Sequence, residues 1–354
     1  MLGISIYLSQ ENKLKNKQFI ELAKANGFQS IFTSLHIPED DPSTYKELLQ
    51  LLGQHAKENE MELMADISTK SLSYLGLDYT NITELLKWGV SGLRIDYGIS
   101  EIQIAELSQK MKIALNASTL TPTFLQTLVA NGLCSENVEA WHNFYPRPET
   151  GLAKSYIIEK NKWLKQNGIS TMAFIAGDNE KRGPIYRGLP TLEKHRDSNP
   201  IQAYLELTDE CFVDKVLVGD VSLTEDTMKN LSNTIDYISL QYKPMIHDED
   251  LLNIVEQFHT NREDPARDVI RSMESRLNGS FGDTLIRPLN TIDRFKGSIT
   301  IDNELYGRYA GEMQITLTDL PTDEKVNVIG RIIEEDLKML DKISAGRKFR
   351  LKRV

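Results

Sequence analysis

The chain has 354 residues, 40% of them hydrophobic, and a formal net charge of −10; this is room for one large domain and a smaller one, and the acidic balance argues against nucleic acid or an anionic membrane as main partner. Two cysteines, Cys134 and Cys211, are too few for a disulfide framework and have no zinc-ligand spacing. The N-terminus lacks the basic start and apolar core of a signal peptide, and no apolar run reaches ~18 residues, so the expectation is a reduced, soluble, cytoplasmic protein.

Short β-rich runs alternate with helical patterns through the first two thirds of the chain. Run 2–8 is followed by a helix with Phe19, Leu22 and Ala23 on one face, stopped at Gly27. Run 30–35 precedes a long helix whose stripe is Tyr45, Leu48, Leu49, Leu52 and Ala56, with Pro42 near its start. Runs 62–68, 92–97 and 112–117 follow, with helices near 82–88, from Ser100 and from Thr121-Pro122. The sixth run begins near Val138, and its helix passes Ile157 and Leu164 to stop at Gly168. Runs 170–176 and 215–218, then a helix through Met228 and Leu231, complete eight units in roughly 235 residues. Strands alternating with helices imply parallel pairing through crossovers. Eight units of this length fit a (β/α)8 barrel of the TIM type better than an open doubly wound sheet. The first strand–helix turn lacks GxGxxG, and no GxxxxGK[ST] occurs.

From about Ile235 strand-like pieces come without regular helices between them: 235–242, 269–274, 284–288, 297–302, 311–318 and 326–333. One amphipathic helix is expected near Leu251, Ile254, Val255 and Phe258, another over 337–343, and a closing strand over 348–352. The reading is a TIM-type domain over 1–235 and a mostly β domain, a small closed barrel, over 236–354.

The stretch AWHNFYPRPETGL, from Ala140 to Leu152, anchors the functional reading. An apolar strand turns at once into a polar loop carrying His142, Asn143, Tyr145 and Arg147, stiffened by Pro146 and Pro148. Barrels of this class build active sites at the C-terminal ends of their strands. The other strands end on Ser34 and His36, Asp66, Arg94 and Asp96, Asn116, Asp178, and Asp220. Any one of these also has an ordinary role as a helix cap or loop hydrogen-bonder, and for Asp220, with Glu225 and a helix behind it, capping is a serious rival. Arg94 and Asp96 are two residues apart and so point to one side of the strand, where two charges need an ion pair or a site. A lone His at a strand end is more often structural than catalytic, and no HxH or HExxH spacing accompanies His142, so no metal is expected.

The loop after the seventh strand holds Lys181, Arg182, Arg187, Lys194, His195 and Arg196, with Gly183, Pro184, Gly188 and Pro190 giving it a defined path. Barrels often bind phosphate in the loops after strands seven and eight, and Arg suits that task; a solvated charged lid is the plainer alternative. Glu193 is the carboxylate among these cations.

LRIDYG, ALNAS, HNFYPRPETGL, RGPIYRGLPTLEKHR and VLVGD, in this order, resemble the 6-phospho-N-acetylmuramidases, a family of glycoside hydrolases, and GSITIDNELYGRYAGEMQI resembles the same family's second domain. The resemblance covers essentially the whole chain. It implies a barrel followed by a cyclophilin-like β-barrel, and cytoplasmic hydrolysis of the β-1,4 bond of N-acetylmuramic acid 6-phosphate–N-acetylglucosamine in peptidoglycan recycling. It implies no metal or organic cofactor. The partner implied is a phosphorylated amino-sugar disaccharide, not nucleic acid or membrane, and a homodimer is left open. Glycoside cleavage uses two carboxyl groups, or one with help from the substrate's acetamido group. The catalytic candidates are Asp66, Asp96, Glu193 and Asp220, with Glu193 or Asp220 as acid and Asp96 as nucleophile or acetamide-orienting group. Asn116, His142, Asn143 and Tyr145 are candidates for sugar hydroxyls, and Arg182, Arg187, His195 and Arg196 for the 6-phosphate or the lactyl carboxylate. Arg308 and Tyr309 are candidates from the second domain, against an ordinary turn of its barrel.

Two alternatives stand beside this reading. A sugar-phosphate isomerase or aldolase would use the same loops, but an aldolase wants a Schiff-base Lys inside the barrel, and Lys112 and Lys215 lie at strand starts. A non-catalytic sugar-phosphate binding protein would keep the basic loop and need no acid–base pair. Sequence leaves open retention against inversion, which turns on a carboxyl separation of about 5–5.5 Å or about 6.5–9.5 Å.

Overall fold

The computed structural model describes residues 1–35, 42–95, 98–277 and 286–354. The chain divides into two compact units, Met1–Ser232 and Asn233–Val354. Among the described residues no helix is long and apolar enough to cross a membrane.

The first unit is a closed barrel of eight parallel strands in sequence order. These are β1 Leu2–Ser5, β2 Ser30–Ser34, β3 Glu62–Ile67, β4 Gly92–Ile95, β5 Lys112–Asn116, β6 Val138–Trp141, β7 Ser170–Ile175 and β8 Lys215–Val218. The ring closes where Leu2 pairs with Val216 and Ile4 with Val218. Around it run α1 Lys13–Ala25, α2 Tyr45–Glu58, α3 Thr69–Tyr74, α4 Glu84–Lys87, α5 Glu101–Ser108, α6 Pro122–Ala130, α7 Lys154–Gln166, α8 Pro200–Asp209 and α9 Glu225–Thr234. Helix α2 buries the expected stripe of Tyr45, Leu48, Leu49, Leu52 and Ala56. Several helices start on hydroxyl caps: the side chains of Ser68, Ser100 and Thr121 accept from the backbone N–H groups of Ser71, Gln103 and Phe124. The sequence reading has no helix between strands seven and eight. The structure has α8 there, opened by Pro200 and capped by the Asn199 side chain, which accepts from the Ile201 N–H at 2.8 Å.

Side chains alternate between the lumen and the helix layer with the two-residue period of a strand. Phe32, Met64, Ala114, Trp141, Met172, Phe174 and Leu217 form the buried cluster that fills the middle of the barrel. Burying such large apolar groups stabilises by about 1.5–3 kcal/mol each. Phe144 lies on this plug, its ring 5.1 Å from Phe174 and 6.5 Å from Phe32, edge to face. Below the plug, at the strand starts, Glu62, Lys112, Glu139 and Lys215 form an ion-pair network. Strands β3 and β8 are not neighbours in the ring, so the Glu62–Lys215 pair crosses the lumen.

The second unit holds β9 Ile238–Pro244, α10 Glu249–Val255, β10 Phe258–Thr260, β11 Val269–Arg271, α11 Met273–Leu277, β12 Ser298–Asp302, β13 Met313–Thr316, β14 Val326–Ile332 and β15 Lys348–Arg353. They form a mixed seven-stranded sheet in the order β10-β15-β9-β14-β12-β13-β11. An antiparallel bridge between Asn261 and Ser272 ties the ends of the two edge strands, so the sheet is nearly closed on itself. The expected strand at 284–288 falls partly outside the described residues, and its remainder, 286–288, joins no ladder. Phe258 opens a strand rather than extending α10, and the expected helix over 337–343 is a 3-10 helix, Glu334–Lys342.

Candidate active site

Strand phase sorts the candidates. Asp66 shares the phase of Glu62 and Met64, Arg94 that of Gly92, Asn116 that of Lys112 and Ala114, and Asn143 that of Glu139 and Trp141. All four lie above the apolar plug, at the C-terminal end of the lumen. There Arg94 is the centre. Its Nη1 donates to Asp66 Oδ1 at 2.9 Å, and its Nη2 donates to Asn143 Oδ1. Ser34 Oγ lies 3.4 Å from the other Asp66 oxygen. Asp66 and Arg94 are each 7% exposed. A guanidinium only donates, so it fixes the Asn143 amide with its oxygen toward Arg94 and its NH2 turned away. The buried Arg94 Nε has no hydrogen-bond partner among the described residues. A buried N–H of a permanent cation without an acceptor marks a place where a ligand group fits.

Two further candidates border this cluster. Asn116 Oδ1 accepts from the Ser118 N–H at 3.0 Å, so its side chain holds the turn after β5. The Tyr145 backbone N–H donates to Pro190 O at 3.0 Å, which joins the loop after β6 to the loop after β7. Burial raises the Tyr145 phenol above its usual value, and Ser118 lies within hydrogen-bonding reach of it.

The remaining carboxylates have other work. Glu193 accepts four hydrogen bonds: Oε1 from the Glu149 N–H at 2.8 Å and Arg196 Nε at 2.7 Å, Oε2 from the Gly151 N–H and Arg196 Nη2 at 2.7 Å each. Arg196, first of these, and the two backbone donors lower its carboxyl to about 2. A Cβ at Gly151 would lie 2.7 Å from Glu193, so only glycine lets the loop close on the carboxylate. Asp220 is fully buried and accepts from the N–H groups of Gly177 at 2.8 Å, Arg182 at 3.0 Å and Leu189 at 3.1 Å. These contacts give Glu193 and Asp220 a loop-organising role beside the acid role expected of one of them. Glu193 holds no proton near neutral pH, and Asp220 is encased by the backbone of the loop it shapes.

His142 takes the other strand phase. It is fully buried on the helix side, with Nε2 2.8 Å from Asn161 Oδ1 on α7, and burial lowers it to about 4. His195 is buried beside Glu206 of α8, Nε2 to Oε2 2.8 Å, and burial outweighs that carboxylate to lower it. Arg196 is 4% exposed and donates to Glu193 and, at 3.0 Å, to Gly188 O. These three candidates are buried and brace the loops through the contacts just given. Arg187 is exposed. Arg182 lies against Tyr7, its guanidinium carbon 4.3 Å from the ring centre. Tyr7 follows β1 in the lumen phase of Gly3 and Ser5. Sequence reasoning passed over it, although the same two-residue count reaches it. His36 and Asp96 lie outside the described residues. Arg308 and Tyr309 belong to the second unit, where Arg308 Nη2 donates to the Tyr309 hydroxyl at 2.6 Å.

Comparison with known proteins follows the same division. The chain is similar to a conserved protein of unknown function from Enterococcus faecalis, at 43% identity over 100% of this chain and 96% of that one, with a TM-score of 0.86. It is also similar to an uncharacterized B. cereus protein, at 28% identity over 99% of both chains, with a TM-score of 0.80. No curated protein matches. Residues 2–233 match the model of the 6-phospho-N-acetylmuramidase N-terminal domain, and residues 238–352 match that of the C-terminal domain. The chain therefore belongs to the 6-phospho-N-acetylmuramidase family of glycosidases.

Proposed function

We propose that the chain hydrolyses the β-1,4 bond of N-acetylmuramic acid 6-phosphate–N-acetylglucosamine in the cytoplasm, as a step of peptidoglycan recycling. The observation that carries this reading is the Asp66–Arg94–Asn143 cluster at the C-terminal end of the barrel, in a chain of this family. Two unpaired cysteines agree with a reducing compartment.

Cleavage of a glycoside builds positive charge at the anomeric carbon and needs a proton on the departing oxygen. Asp66, in its ion pair with Arg94, supplies the negative charge, either to the anomeric carbon or to the 2-acetamido group that attacks it. Of the carboxyl candidates for the proton donor, Glu193 and Asp220 are both also engaged in organising the loops. The Asn143 amide NH2, turned away from Arg94, holds a sugar oxygen, and Tyr145 borders the same end of the barrel. The apolar floor of Phe144 and Trp141 strengthens these electrostatic contacts by keeping water out.

The test is release of free N-acetylglucosamine from the phosphorylated disaccharide and from its unphosphorylated counterpart. The reading expects release from the first at a kcat/KM at least about tenfold above the second. No release from either would remove it.

A further inference from the structure

We propose that Arg182, held on the ring of Tyr7, is the receptor for the substrate's phosphoryl group; the assignment rests on the reading just given. Among the basic candidates, His195 and Arg196 are engaged by Glu206 and Glu193. Arg182 is held differently. Its backbone N–H donates to Asp220 Oδ1 at 3.0 Å, while the Tyr7 hydroxyl donates to Gly219 O. The ring and the backbone of Arg182 are thus both tied to two consecutive residues just after β8. A Cβ at Gly219 would lie 2.3 Å from Leu189 O, so this corner closes only around glycine. The guanidinium lies 4.3 Å from the ring centre and donates to no acceptor among the described residues. A guanidinium braced on an aromatic face keeps its planar fork for a two-pronged anion, and little freedom remains to be lost on binding. Lys181, 3.9 Å from Asp220, balances the charge of that buried carboxylate at the same corner.

The position suits the chemistry. Loops after strands seven and eight are where barrels hold phosphate. Along the rim, β1 is two strands from β3, whose last residue but one is Asp66. Two interstrand spacings are about 10 Å, the scale of one phosphorylated sugar ring. Tyr7 is a positioning residue, since it acts through Arg182.

The experiment measures kcat and KM for the full chain on the phosphorylated and unphosphorylated disaccharides, both of which carry the lactyl carboxylate. Arg182→Gln lowers the ratio of the two kcat/KM values at least about tenfold, the loss of a charged hydrogen-bonded contact. Tyr7→Leu lowers it about fivefold, mainly through KM on the phosphorylated substrate, and Tyr7→Phe, which keeps the ring, restores most of the loss. If both substrates fall in equal proportion, Arg182 serves the lactyl carboxylate or the fold, and the proposal is overturned. If wild type discriminates and Arg182→Gln discriminates as well as wild type, the assignment to Arg182 alone is overturned. If wild type cleaves both alike, the phosphate reading and the assignment to Arg182 fall together.

Discussion

The two ends of the barrel both bury charge, and they bury it in different ways. At the N-terminal end, Lys215 meets Glu62 at 2.6 Å and both Glu139 oxygens at 2.7 and 2.8 Å, while Lys112 meets Glu62 at 2.5 Å. Ser30 Oγ and Trp141 Nε1 donate to the same two carboxylates at 2.9 and 2.7 Å. Two cations face two anions, with further donors on the carboxylates. Burial alone would raise the Glu62 carboxyl, and Lys215 and Lys112 reverse this to hold it below its usual value. At the C-terminal end, Arg94 has one carboxylate, one amide oxygen and an Nε with no acceptor among the described residues. A saturated network serves the fold, because its charges are matched before any ligand arrives. A network that keeps a buried donor without an acceptor among the described residues has room for a further group.

Breaking the saturated end has the largest expected effect on stability. Lys215→Met leaves Glu62 and Glu139 short of their shared cation, and unfolding in urea should show a loss of about 3–5 kcal/mol, with turnover per folded molecule retained. An unchanged midpoint would mean that the network contributes nothing. The second effect is in pH. His142 is neutral in the fold down to about 4, while the unfolded chain protonates it near about 6.5. The unfolded state therefore binds more protons between those values, and stability falls as pH drops through that window, by up to about 3 kcal/mol. His142→Asn should flatten the slope in urea titrations run across that window. A shift of the pH–rate profile without a change in stability would instead put His142 in the chemistry. The smallest effect is at the loops. Glu193→Gln should cost about 1–2 kcal/mol and speed amide exchange at Glu149 and Gly151, while turnover falls far less than for a lost proton donor. Turnover reduced by about three orders of magnitude, the scale of lost acid catalysis, would return Glu193 to the acid role.

The contrast between the ends also explains what was legible in the sequence. Eight alternating units, the parallel barrel and the nearly closed second sheet follow from periodicity and length. The pairing of Arg94 with the barrel interior follows from a count of two. The same count, carried one residue further, separates Asn143 from His142, which sits between two lumen-facing residues and turns to α7. Glu193, Asp220, His195 and Arg196 were not legible in this way. They lie beyond the strands in long loops, where no period fixes direction, and the groups that hold Glu193 and Asp220 include backbone donors from distant parts of the chain. A carboxylate that organises a loop and one that waits for substrate have the same letter in the sequence.

The most direct measurement is the turnover of Asp66→Asn on the phosphorylated disaccharide, set beside its unfolding midpoint. The account predicts that N-acetylglucosamine release drops about 1000-fold or more while the chain stays folded at the assay temperature. Turnover near that of the wild type would contradict it, and the open end of the barrel would then have to be read, like the closed one, as part of the scaffold.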